Sequence, residues 1–511
     1  MTLVLFDTAR AARVPFPVDV PHELGIYSCG PTVHGRKHLG ELRQYVVVDV
    51  LKRRLASMGR RTRHVINITD VGHLTDDADL GEDRVLRAAR RAGESVTQTA
   101  RHFTRLFQRD LALLGVSSPQ VWATASEHVL EQIQMAVELE RRGLTYLTKD
   151  GLYFDTSRAP GFGKLARASG IRTQPQLRIV AADDRRHPDD FLVWRRKDAE
   201  TECASDHDEG NEAQSSRSKT FDSPWGRGIP GWHVECAAMA QLYAGPQIAL
   251  HTGTTDHIHS HHDHELAQAE QAFDGKPWVR HWLHVAPVLV ASEQPDQDGA
   301  TRTMADHAKN SITVDDVMER GLAPRICRLL LLSTHYRSKL VVSWSVIATV
   351  ASQYERLARL VAELKPVQAE PGHTHAVSRN PLVTRLKRLF ERAIDDDLQT
   401  PRALSVLWET LKHPLLSAAD KLTVLSHIDS TLGLGLLEAA SLLEVPASPS
   451  SLTLPIMQLI DRRNEARNLQ DFALADALRT ELQRLGFNVE DHATGTRIRA
   501  RSLTPGKAEA S

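Results

Sequence analysis

The sequence predicts an α/β protein, with a parallel sheet built from βαβ units followed by an α-helical bundle. Two patterns and one size argument predict it. A short strand at 26–29 ends in Gly30-Pro31, a helical pattern at 42–55 carries Val46, Val50 and Leu51 on one stripe, and another strand, 62–68, ends at Thr69-Asp70. Strand, loop, helix and strand in that order form a βαβ unit, which makes the strands parallel and places ligands at their carboxyl ends. Beyond Val346 the apolar residues switch to three- and four-residue spacing, through Leu357, Leu360, Val361 and Leu364 and again through Leu382, Leu386, Leu389 and Phe390, as in a helical bundle. A chain of 511 residues is too long for one compact core, so about three or four domains are expected.

Between these regions the sequence predicts two charged helices, at 94–114 and 126–142, then a hairpin-like stretch around Gly151-Leu152-Tyr153-Phe154-Asp155. Segment 199–219 is almost devoid of apolar residues and reads as a disordered surface insertion. Sheet-like sequence returns at 248–250 and 284–290. A Pro- and Ser-rich linker at 446–451 precedes a helical pair at 454–485 and a short mixed tail.

Hydrophobic residues at 41 % and charged residues at 25 % describe an ordinary globular protein. No apolar run approaches the roughly 18 residues of a membrane span, and the first residues lack a basic-then-apolar signal pattern, so a cytoplasmic protein is expected. Four cysteines argue against a disulfide framework and for a reducing compartment. The net charge of −1 excludes a global positive field. Nucleic-acid binding must then come from local clusters such as Lys52-Arg53-Arg54, Arg60-Arg61, Arg462-Arg463 and 497–501, although most short basic runs are solvated helix faces.

The chemistry concentrates in four residues far apart in the chain: Cys29, Cys236, His261 and Glu265. Cys29 precedes the Gly30-Pro31 turn, Cys236 ends the segment 230–236, and the four-residue spacing of His261 and Glu265 puts both on one helix face. Zinc accepts thiolate, imidazole and carboxylate together, and a substrate-binding zinc keeps one position open, suited to a substrate thiol. Taken singly, each cysteine reads equally as a small buried hydrophobe. Six histidines between His251 and His264 suggest a separate metal centre, but no His-Glu-x-x-His is present, and His257, His259 and His264 read as polar surface or pocket lining.

The ordered string Tyr27-Ser28-Cys29-Gly30-Pro31-Thr32-Val33, His38-Leu39-Gly40, Asn67-Ile68-Thr69-Asp70-Val71, Asp190-Phe191-Leu192-Val193-Trp194, Pro230 to Cys236, His261 to Gln268, Asp395-Asp396-Asp397 and Arg462 to Arg467 resembles the cysteinyl-tRNA synthetases, members of the class I aminoacyl-tRNA synthetases. The resemblance implies a ligase that activates cysteine with ATP and Mg2+ and passes it to tRNA(Cys). It also implies a Rossmann-type catalytic domain, with one zinc ion on Cys29, Cys236, His261 and Glu265 holding the substrate thiolate, so that serine is rejected without editing. It places Thr69 and Trp232 in the cysteine pocket, and His38, Gly40 and Asp256 in the ATP site. The implied domains are a catalytic domain in two halves, 1–120 and 230–300, a connective insertion at 121–229, a stem-contact region at 301–345, a helical bundle for tRNA and anticodon binding at 346–445, and a C-terminal domain at 452–511. A monomer is implied as well.

The family's second ATP signature, KMSKS, falls at Thr303-Met304-Ala305-Asp306-His307, where both lysines are replaced. Each such cation is worth ~3 kcal/mol toward a departing polyphosphate, so a weakened ATP half is expected, with Lys309, ahead of Arg302 and His307, as the substitute cation. Glu41 and the Thr252, Thr254 and Thr255 cluster read as unfavourable for phosphate approach. Two other functions compete: a ligase handing activated cysteine to a small amine, and an impaired paralogue that only binds cysteine or tRNA.

Overall fold

The computed structural model describes residues 2–18, 23–76, 80–170, 184–197, 219–273, 277–291, 301–304, 311–364, 380–444, 454–468, 471–484, 487–492 and 495–500. The predicted insertion at 199–219 lies outside them except for Lys219, and Lys309 lies outside them too. Two compact units result: 1–313 with 334–341 and 392–400, and 314–333 with 342–391 and 401–511.

The first unit is organised by a parallel five-stranded sheet in the order Trp282–Val285, Leu250–Thr254, Leu24–Ser28, Thr62–Ile68, Val121–Thr124. The chain starts at the central strand Leu24–Ser28, winds out through Thr62–Ile68 and Val121–Thr124, and later returns on the other side. The direction of winding therefore reverses between Leu24–Ser28 and Leu250–Thr254, and a crevice opens at the carboxyl ends of strands at such a switch point. Every residue of Leu24–Ser28 is buried, as expected for a strand covered on both faces.

The helix Leu39–Ser57 makes the first crossover. It is buried almost all round rather than on one stripe, and its polar members are satisfied individually. Arg43 donates to the carbonyls of Ala286, Ser338, His335 and Thr334 at 2.8–3.2 Å. The guanidinium of Arg54 makes a two-point pair with Asp395, both bonds 2.8 Å.

The stretch 94–114, predicted as one helix, forms Val96–Leu113, and a second helix, Arg84–Ala92, precedes it. Gly93 at φ 67° ends the first and Ser95 caps the second, so the break is set by local chemistry. Between the halves of the parallel sheet lies an antiparallel sheet in the order Gly228–Pro230, Phe191–Arg196, Gly151–Phe154, Thr145–Leu147. Its last strand, Gly228–Pro230, runs directly into helix Trp232–Ala244.

The second unit is helical, as the spacing beyond Val346 predicts, with helices Trp344–Ala362, Thr400–Lys412, Ala418–Leu432 and Leu436–Glu444. Gly433 at φ 64° closes helix Ala418–Leu432, and Asp429 accepts the amides of Leu434, Gly435 and Leu436 to start the next one. The predicted helical pair is Leu454–Asn468 and Phe472–Arg484, and the tail is a hairpin, Phe487–His492 with Gly495–Ala500. No helix among the described residues is long and apolar enough to cross a membrane.

Candidate functional site

Cys29 follows the last residue of the central strand Leu24–Ser28 and so enters the switch-point crevice. Its carbonyl accepts from Gln44 Nε2 at 2.9 Å and Tyr45 OH at 2.8 Å, two residues of helix Leu39–Ser57. Cys236 lies on the second turn of helix Trp232–Ala244. His261 and Glu265 come from a π-helical turn, Ile258–His262, that continues into helix Asp263–Ala272. Such turns re-aim side chains and recur at functional sites.

The fold brings all four predicted ligands together. One donor atom from each of Cys29, Cys236, His261 and Glu265 lies within 4.8 Å of the others, and all four residues are buried. Cys29 Sγ is 3.4 Å from Glu265 Oε1, and His261 Nε2 is 2.7 Å from the same oxygen. This is a buried Cys/His/Glu site of the kind that holds a metal.

Its protonation fits a cation. Burial and the neighbouring Cys236 and Glu265 push the Cys29 thiol well up. Burial also opposes ionisation of Cys236, but the hydrogen bond from Cys29 and the His261 charge bring its thiol down to about 6. His261 is opposed by burial and raised by Glu265 and Cys236 to about 10. Burial raises Glu265, yet His261 and His251 hold it below the usual carboxylate range. These directions favour negative charge on Cys236 and Glu265 and positive charge on His261, and a divalent ion replaces protons when it binds such a donor set.

Four more histidines, which the spacing argument did not resolve, surround these groups, and two of them, His251 and His262, form with Cys29 and Glu265 a second buried set of four close enough to hold an ion. His233 shares a 2.8 Å hydrogen bond with His261 through Nδ1, and His251 Nε2 is 2.8 Å from Glu265 Oε2. His262 Nε2 is 3.2 Å from Cys29 Sγ, and the relay continues from His262 to His284 at 2.7 Å and from His284 to Thr8 at 2.7 Å. Partners of this kind fix ligand orientation. For His251 and His262 the signal in the sequence was the density of histidine between His251 and His264, which periodicity cannot divide into roles, and His233 and His284 lie outside it.

A cavity of about 400 Å³ opens beside the cluster, and its wall includes Cys29, Cys236 and His261 together with Lys37, His38, Gly40, Trp232, Thr254, Asp256 and His257. Trp232 stacks between His73, ring centroids 3.9 Å apart, and His261, 4.1 Å apart. Thr69 is buried outside this wall, where its hydroxyl accepts from Asn67 Nδ2 at 3.1 Å. Of the two flanking histidines, His259 is exposed and His264 is half-buried, stacked on His233 with centroids 4.3 Å apart.

His38 caps helix Leu39–Ser57: its Nδ1 accepts from the Glu41 amide, and Glu41 Oε2 accepts from the His38 amide at 3.1 Å. Glu41 also pairs with Lys37, Nζ to Oε1 3.0 Å. The carboxylate read as hostile to phosphate is therefore a capping group already neutralised by a lysine in the cavity wall. Thr252, likewise, is a structural residue, its hydroxyl 2.8 Å from Ser28 Oγ. Gly253 is retained where a Cβ would come within 2.4 Å of the His262 ring.

Comparison with known proteins agrees with this geometry. The family described as tRNA synthetases class I (C) catalytic domain matches residues 16–352, and the cysteinyl-tRNA ligase anticodon binding domain matches 450–499. The chain is 35 % identical to a cysteine–tRNA ligase of Treponema denticola, covering 97 % of this chain and 99 % of the relative. It is 37 % identical to cysteine–tRNA ligase 1 of Burkholderia lata, covering 98 % and 97 %. Among solved structures, the agnB2 LeuRS of Agrobacterium radiobacter K84, in a ternary complex with tRNA and LeuAMS, aligns over 85 % of this chain and 87 % of that one, with TM-score 0.56 and 11 % identity, which speaks to the fold alone. Catalytic sheet, cysteine-lined crevice and C-terminal region thus find their counterparts in one group of proteins over nearly their whole length, and the chain belongs to the cysteinyl-tRNA synthetase family of class I synthetases.

Proposed function

We infer that the protein is a cysteine–tRNA ligase, which forms cysteinyl adenylate from cysteine and ATP and transfers the cysteinyl group to tRNA(Cys). The observation that carries this reading is the convergence of two thiols, an imidazole and a carboxylate at the switch-point crevice, beside a cavity of about 400 Å³. In this reading Cys29, Cys236, His261 and Glu265 hold one zinc ion, which supplies a sulfur-seeking position for the substrate thiolate. Trp232, held between His73 and His261, closes the pocket against the amino acid. Thr69 contributes from behind, through the strand end it fixes. The amino end of helix Leu39–Ser57, with His38, Gly40 and Lys37, receives the ATP phosphates with their Mg2+, because its positive dipole end favours anions, and Asp256 takes the ribose.

We further propose the division into catalytic halves 1–120 and 230–300, insertion 121–229, stem-contact region 301–345, bundle 346–445 and C-terminal domain 452–511, acting as a monomer in the cytoplasm. Lys309 serves as the substitute cation for the altered KMSKS segment. Transfer to a small amine is the weaker reading, because the chain carries a segment matching an anticodon binding domain.

Zinc content, cysteine-dependent pyrophosphate exchange and charging of a tRNA(Cys) transcript test the proposal together. Stoichiometric zinc, exchange with cysteine but not serine, and charging are expected. Exchange without charging would favour the small-amine reading, and zinc-loaded protein with neither activity would sink the ligase assignment.

A further inference from the structure

We propose that a groove on the helical unit is a stacking site for an unpaired base of the bound tRNA, with Trp408 as the platform and Arg356 and Lys412 as contacts to the flanking phosphates. The proposal rests on the reading of the protein as a tRNA ligase and adds to it a contact within this chain.

The groove encloses about 590 Å³ between helices Trp344–Ala362 and Thr400–Lys412. The first helix contributes Thr349, Ser352, Gln353 and Arg356, which are exposed and spaced three, four and seven residues along, and so share one face. The second contributes Trp408 and Lys412, one turn apart. Lys412 Nζ lies 4.8 Å from the Trp408 ring centroid and the Arg356 guanidinium carbon 5.8 Å from it. Two cations on long side chains thus lie over one half-buried indole, which a base reaches as they turn to its phosphates. Neither has an ionic partner among the described residues, and the groove lining contains no carboxylate.

Packing does not account for this arrangement. A core tryptophan is covered by apolar neighbours, but the groove on which Trp408 opens is lined from the other helix by two hydroxyls, an amide and a guanidinium. The Thr349 and Ser352 hydroxyls donate back to the carbonyls of Ser345, at 2.9 Å, and Ala348, at 3.1 Å, which leaves their lone pairs as acceptors. An aromatic face, two cations and neutral acceptors together match a nucleobase, its N–H edge and its phosphates. An acidic peptide would use the cations and leave the indole idle.

The test is binding of a tRNA(Cys) transcript to the full-length protein at several salt concentrations. Trp408→Ala is expected to weaken binding about tenfold or more, as loss of one stacked base does, and Trp408→Phe, which keeps a ring, to remain within about threefold of wild type. Arg356→Gln and Lys412→Gln should each lower the slope of log affinity against log salt by about 0.7–0.9. Helicity and tRNA-independent pyrophosphate exchange, read on the same preparations, report folding. A folded Trp408→Ala protein that binds tRNA like wild type overturns the proposal, and so does a Trp408→Phe loss as large as that of Ala. Should Trp408→Ala unfold, an unchanged salt slope in both cation variants overturns it. Absence of exchange in the wild type would count against the ligase reading and leave the tRNA-binding result to be read separately.

Discussion

The Lys37 ammonium is 3 % exposed, and its carboxylate partner, Glu41 Oε1, is 3.0 Å away. With Glu41 also held in the cap of its helix, the pair is net neutral and fixes the Lys37 side chain in the wall of the cavity where polyphosphate is proposed to sit. Lys37→Met is expected to slow cysteine-dependent exchange by about 10²-fold, the effect of losing one preorganised group worth ~3 kcal/mol, while zinc content stays at one per chain. A rate within twofold of wild type would remove Lys37 from the ATP site. His64 offers a separate test through pH. It is buried beside Lys52, with Nδ1 3.2 Å from the ammonium and Nε2 2.9 Å from Ser28 Oγ, and burial followed by the Lys52 charge holds its pKa well below 6.5. Below about pH 6.5 the unfolded chain binds a proton that the folded His64 refuses, so stability falls as pH falls through this window. His64→Gln should cut the wild-type loss of unfolding free energy between pH 7.5 and 5.5 by about 1 kcal/mol. Equal losses in both proteins, measured by urea unfolding, would show that another group carries the effect. At this scale the sequence singled out four residues that the fold gathers into one buried cluster, while the part Glu41 plays in a capping box is visible only once the start of the helix is fixed.

Helix Leu39–Ser57 ties together the parts of the catalytic unit that sequence separation keeps apart. Gln44 and Tyr45 hold the Cys29 carbonyl, Arg43 gathers four carbonyls from 286 and 334–338, and Arg54 pairs with Asp395. The Asp395-Asp396-Asp397 string is structural for the same reason. Asp397, at φ 60°, accepts from the Phe6 amide at 2.8 Å, Tyr336 OH at 2.5 Å and Arg337 Nε at 2.9 Å. Removing one member of a buried charge pair strands the other, so Arg54→Met is expected to cost about 3–5 kcal/mol of stability, most of it regained in Arg54→Met with Asp395→Leu. Additive losses in denaturant unfolding would contradict a buried pair. Strand Thr62–Ile68 was legible to the residue, because β-branched Val65, Ile66 and Ile68 lie between the Gly59 turn and Thr69-Asp70. Helix Leu39–Ser57 was legible only in part: three residues on a stripe suggested one buried face, and the fold buries nearly all of them. Helix Arg84–Ala92 was missed although Val85, Leu86 and Ala89 mark one buried face, because it is short and its cap, Asp83, belongs to a preceding strand.

For the whole molecule, the proposed metal site links chemistry to stability. A ligand that binds only the folded state stabilises it by about 2.7 kcal/mol at a hundredfold excess over its dissociation constant, so zinc added to chelator-treated protein should raise the melting temperature. Cys236→Ser and Glu265→Gln should abolish both that rise and stoichiometric zinc. A wild-type melting temperature indifferent to zinc would contradict the site. The sequence by itself determined the succession of parallel-sheet and helical regions, and the identities of the cysteines, the histidine and the glutamate that meet in the crevice. Those are properties of local patterning and residue chemistry, which survive in one dimension. Only the tertiary structure decided which histidines face which ligand, that Glu41 is spoken for by Lys37 and a helix cap, and that Trp408 meets two cations across a groove. Each of these depends on residues from different elements reaching hydrogen-bond or van der Waals distance, and such distances are set by packing, which no spacing along the chain encodes.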